Sequence, residues 1–72
     1  MTSLTEADIH TGQIWRDSGT PHLWGVRSVV RDHLISDLYE TTVMLVNELD
    51  GRDTMRIPGT VLLANYELEF DR

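Results

Sequence analysis

The longest apolar pattern lies in residues 40–57, ETTVMLVNELDGRDTMRI. Val43-Met44-Leu45-Val46 is apolar at every position, as expected of a strand covered on both faces. Past Asp50-Gly51, Thr54 and Arg56 alternate with Met55 and Ile57, the period of a strand with one face toward water. An Asp-Gly pair tolerates the positive φ angles of a type I′ turn, whose twist matches that of paired strands. The pattern therefore predicts a hairpin that turns at Asp50-Gly51 and lays the valine-rich arm beside residues 54–57.

Upstream, residues 12–17, GQIWRD, read as a first strand in which Ile14 and Trp15 again imply two covered faces. Residues 17–22, DSGTPH, form a loop dense in turn residues, and Pro21 has no N–H to give a ladder. Trp24-Gly25 leads into a second long strand, with Gly25 a candidate bulge or bend. Over residues 26–49 two readings compete. Val26, Val29, Val30, His33, Leu34 and Leu38 have helical spacing, and Asp37 and Glu40 are spaced as a helix cap. Against a helix, eight of these 24 residues are β-branched, which favours strands. Strands are the preferred reading, residues 26–32 pairing with 41–49 and residues 33–40 forming a hairpin connection or a ragged strand extension.

Toward the C-terminus, Pro58-Gly59-Thr60 reads as a turn and residues 61–65 as a short helical segment. Residues 66–70 alternate Tyr66, Leu68 and Phe70 with Glu67 and Glu69, the signature of a half-buried strand. Residues 1–11 are polar, with capping-box spacing at Ser3 and Glu6. They read as a flexible N-terminal arm ahead of one domain, residues 12–72.

Composition narrows this picture. With 72 residues the chain allows one small domain, which buries only about 60% of its unfolded surface. There is no cysteine, hence no disulfide or thiolate metal site to add stability. A formal charge of −6 opposes indiscriminate phosphate binding. All six basic residues are arginine, which suits a GC-rich genome. No apolar run approaches the roughly 18 residues of a membrane-spanning helix, so a cytoplasmic location with no membrane contact is expected.

The predicted fold class is all-β: about five strands with a short helical turn before the last, the layout of a small SH3-like barrel. Gly12-Gln13-Ile14-Trp15-Arg16-Asp17, the Val-rich second strand, Gly51-Arg52 and Tyr66-Glu67-Leu68 occur in that order. In this the chain resembles small SH3-like proteins of actinobacteria and their phages, with the pattern G-[QD]-[VI]-W-x-D … G-R-x-T-x-[IV] … Y-x-L. The resemblance covers residues 12–70, and its motifs are structural, implying no catalytic residue. Those proteins carry a more basic surface and a shorter middle hairpin, which weighs against a nucleic-acid role for this one.

Candidate chemistry is sparse. His10, His22 and His33 lack the short spacings that gather metal ligands, so packed or surface imidazoles are expected and no metal or other cofactor. No carboxylate pair forms a recognisable acid/base constellation, and neither a nucleophile elbow nor a phosphate loop is present, so no catalytic residue and no enzyme is expected. Asp32, Asp37, Glu40, Glu48, Asp50 and Asp53 read as a solvated acidic rim. Trp15 reads as core. Trp24, next to a Pro-containing loop, is either a lid on the core or an exposed interface anchor. These residues predict a protein-interaction module that binds a host or self partner through Trp24, His22, Tyr39, Asp37 and Glu40, with homo-oligomerisation an added expectation. The alternative is nucleic-acid binding through Arg27, Arg31 and Arg56, which otherwise pair with nearby carboxylates. A variant of it has the acidic surface imitate DNA to occupy a DNA-binding protein.

Overall fold

The computed structural model of the protein describes residues 4–35 and 38–71. Five strands, β1 (Ile14–Asp17), β2 (Leu23–Ile35), β3 (Leu38–Asn47), β4 (Asp50–Pro58) and β5 (Tyr66–Phe70), form one antiparallel sheet in the order β4-β3-β2-β1-β5. A short helix, α1 (Gly59–Asn65), precedes the last strand, and a 3₁₀ turn spans Glu6–Asp8. The sheet does not close into the expected barrel: β4 and β5 are its two edges and share no ladder among the described residues. Among the described residues a side-chain contact also spans these edges, Tyr66 Oη donating to Met55 Sδ at 3.9 Å, which is a weak bond.

Strands rather than helices occupy residues 26–35 and 38–47, as the β-branched content favoured. Register follows the apolar pattern closely. Val26 faces Leu45 and Asp32 faces Glu40, while Val43, Leu45 and Val46 face Ile57, Met55 and Thr54. The turn itself differs from expectation. Asn47 pairs with Asp50, so the chain reverses at Glu48-Leu49, and residues 51–53 fall outside the ladder. Asn47 Oδ1 accepts from Leu49 N at 2.9 Å, and Glu48 N donates to Leu23 O at 3.0 Å. An Asx turn held by a β2 carbonyl thus displaces the local Asp-Gly preference. Gly51 has no positive φ; among the described glycines that conformation belongs to Gly12, at φ 99°.

On β3 Thr41, Val43 and Leu45 are buried, while the alternating Thr42, Met44 and Val46 are half-buried. Ile9, Trp15, Trp24, Val26, Val43, Leu45 and Leu62 form the core on the inner side, with Val29, Met55, Ile57, Tyr66 and Leu68 packed against them. A bulge lets β2 serve that core along its length. The register shifts between Val26 and Ser28, so Arg27 is the extra residue and both Val26 and Val29 face inward. The bulge falls two residues past Gly25. That glycine instead admits the Glu48 carboxylate, whose Oε1 lies 2.8 Å from where a Cβ would stand.

Polar bonds organise the N-terminal end of the core. Asp8 Oδ2 accepts from Thr5 N at 2.7 Å, which makes Thr5 and Asp8 the capping pair; Ser3 lies outside the described residues. Gln13 is fully buried and bonded at every position. Its Nε2 donates to Asp8 O at 2.8 Å and Asp71 Oδ1 at 3.2 Å, while its Oε1 accepts from His10 N at 3.0 Å and Trp15 Nε1 at 3.2 Å. His10 Nε2 also meets Asp71 Oδ1 at 2.7 Å. At the other strand pair, Arg16 of β1 bridges Glu67 and Glu69 of β5.

Candidate functional site

The second face of the sheet carries surface that no other element covers among the described residues. After the bulge at Arg27, Ser28, Val30 and Asp32 alternate onto the outer face of β2, opposite Val29 and Arg31. The ladders align three cross-strand rows there: Ser28–Met44–Arg56, Val30–Thr42–Pro58 and Asp32–Glu40. Ser28, Val30, Asp32, Thr42, Met44 and Arg56 line one open hollow of about 310 Å³. Its floor is mixed apolar and hydroxyl. Val30 is 50% exposed and Met44 half-buried, while α1 and the 3₁₀ turn deliver Leu62 and Ile9 to the opposite, inner side.

The charges around this hollow are arranged by register. Arg56 is exposed at one end and, among the described residues, has no ion-pair partner. Asp32 stands at the other end directly across from Glu40. Like charges opposite one another in a ladder destabilise it, so this row is improved by any incoming cation. The arrangement suits a contact surface: apolar Val30 and Met44, two hydroxyls, a cation at one end and a pair of carboxylates at the other.

The residues expected to make protein contact are dispersed. Trp24 is 9% exposed and part of the core, the lid alternative rather than the exposed anchor. Its indole Nε1 is buried without a hydrogen-bond partner among the described residues, whereas that of Trp15 is held by Gln13. His22 is exposed in the loop before β2, where its backbone N donates to Thr20 Oγ1 at 3.3 Å. Tyr39 and Glu40 lie at the far end of β2–β3, paired with His33 and Asp32. Asp37 lies outside the described residues. Roughly 30 Å of strand separates His22 and Trp24 from Tyr39 and Glu40.

Nor do the three arginines form a stripe. Arg31 is on the inner side of β2, and its Nη2 donates to Glu6 O and Ile9 O, each at 3.0 Å, closing the end of the 3₁₀ turn. Arg27 is exposed at the bulge, and Arg56 alone borders the hollow. Residues four apart on a regular strand share a face, so the sequence spacing suggests one for Arg27 and Arg31, and the bulge at Arg27 breaks it. Among the described residues no group of three or more His, Asp or Glu side chains is placed to hold a metal ion. Burial, and secondarily the Asp17 carboxylate, raises the pKa of the Tyr66 phenol that donates to Met55.

Sequence reasoning misses Ser28, Val30, Thr42 and Met44 as site residues, although a signal for them is present. An apolar run without alternation at Val43–Val46 demands cover on both faces, and the structure supplies it on one. Among the described residues no helix is long and apolar enough to cross a membrane. No protein-family model, no curated protein and no solved structure matches this chain.

Proposed function

We propose that this chain is a non-enzymatic protein-interaction module that binds through the outer face of β2, β3 and β4. The observation that carries this reading is the uncovered hollow, where half-exposed Val30 and Met44 lie between Arg56, unpaired among the described residues, and the opposed Asp32 and Glu40. Antiparallel sheets commonly leave one face to water, but that face is then polar. Here it is apolar at its centre, and apolar patches rimmed by charge mark contact sites. The strand order, with a helical segment before the last strand, supports an SH3-like domain that is open between β4 and β5. The sequence resemblance supports an accessory protein of actinobacteria or their phages.

Met44→Glu places a charge at the centre of the hollow without touching the core. Capture from a GC-rich bacterial lysate by the immobilised wild type and this variant, together with light scattering of both, tests the reading. The expected result is an association, with a foreign protein or with itself, that Met44→Glu abolishes while the circular-dichroism spectrum is unchanged. A wild type that associates with nothing, or an association that Met44→Glu leaves intact, overturns it.

A further inference from the structure

The outer hollow is complementary to itself. Arg56 and Asp32 are two strands and two rows apart, so roughly 16 Å lies between them across the face, with Thr42 midway. Consider a twofold axis lying in the plane of the contact, passing over Thr42 at right angles to the line from Arg56 to Asp32. It brings each Arg56 over the Asp32 of a second copy. The same rotation lays Met44 over Val30 of the other copy, apolar on apolar, and brings the two Thr42 hydroxyls together at the axis. Such an isologous contact needs every element twice over, and this face provides each of them.

Resting on the reading of this face as a contact surface, we infer that the occupant of the hollow is a second copy of this chain, docked face to face about a twofold axis. Two features of the single chain support this. Arg56 has no partner of its own among the described residues, and the Asp32–Glu40 row repels itself until a cation arrives. In the dimer each defect is resolved by the other, twice. The apolar pair Val30 and Met44 supplies the desolvated centre, and the two Arg56–Asp32 pairs fix orientation and exclude parallel alternatives.

Charge exchange tests this. In sedimentation velocity over a concentration series, the wild type is expected to sediment as a dimer at high concentration and to weaken as salt rises. Arg56→Glu and Asp32→Arg each place like charges face to face at two points, and each is expected to weaken self-association roughly a hundredfold. An equimolar mixture of these two variants is expected to regain the dimer. At one end of the mixed contact the carboxylate introduced at position 56 faces the guanidinium introduced at position 32, and at the other the native Asp32 faces the native Arg56. A fold defect would not be repaired by mixing, so recovery belongs to the contact alone. A wild type that stays monomeric, a dimer indifferent to both substitutions, or a mixture that remains dissociated each overturns the proposal. The interaction-module reading fails separately, because a monomer that still captures a Met44-dependent protein leaves it standing.

Discussion

The two faces of β3 differ by one residue in register and by almost everything in chemistry. Thr41, Val43 and Leu45 are closed over by α1, β2 and β4, whereas Thr42, Met44 and Val46 keep part of their surface in water. Inside, most polar groups are matched, the Trp24 indole N–H being the exception among the described residues: buried Gln13 uses both amide hydrogens and its oxygen, and Arg31 satisfies two backbone carbonyls. Outside, Arg56 is unpaired among the described residues and Asp32 opposes Glu40. A small domain has too little core to neglect one face, so the difference separates what stabilises the chain from what is left to meet another molecule.

The comparison is sharpest at neighbouring positions. Leu45→Ala should cost about 3 kcal/mol of unfolding free energy, because a fully buried leucine leaves a cavity. Met44→Ala, one residue away, should cost less than about 1 kcal/mol, since a half-exposed side chain leaves no closed cavity; equal losses in denaturant titration would erase the distinction between the faces. Gln13→Leu should cost about 2 kcal/mol, since it strands His10 N, Asp8 O and the Trp15 indole together. Hydrogen exchange should then show the loss concentrated at the 3₁₀ turn and at the start of β1.

The two tryptophans give a smaller contrast. Both are in the core, but of the two only the Trp15 N–H has an acceptor among the described residues. Trp15→Phe should therefore exceed Trp24→Phe by about 1 kcal/mol, beyond the loss of area common to both. A costlier Trp24→Phe would show that its N–H is bonded after all. The smallest effect concerns pH. A Tyr66 pKa raised above the ordinary 10.0 means that the unfolded chain releases its proton first, so stability should decline as pH climbs past that value. Tyr66→Phe should flatten this alkaline slope and change little at neutral pH; an unaltered slope would assign it to another group.

Much of the architecture was legible because it depends on near neighbours. The β-branched content of residues 26–49 and the alternation of Tyr66, Leu68 and Phe70 correspond to β2, β3 and β5 as observed. The pairing of the valine-rich arm with residues 54–57 also follows, since it buries Val43 and Leu45 with Met55 and Ile57 on one face. The turn position did not follow, because its decisive bond runs from Glu48 N to Leu23 O, between residues far apart in the chain. Trp24 was ambiguous for a similar reason: whether a tryptophan beside a loop covers a core or meets a partner depends on what packs above it.

The candidate site shows the same limit. A run of four apolar residues in β3 announced that both faces need cover, yet not which face would go without. That was decided by α1 and the 3₁₀ turn, which both pack on the inner side, and by the bulge at Arg27, which moves Ser28, Val30 and Asp32 outward and Arg31 inward. Sequence alone determined that strands form and which residues seek shelter, since those preferences belong to each side chain and its immediate spacing. Only the tertiary structure decided where the sheet stays open and which charges meet across it. A one-residue slip in register exchanges the two faces, and long-range packing is what sets that register.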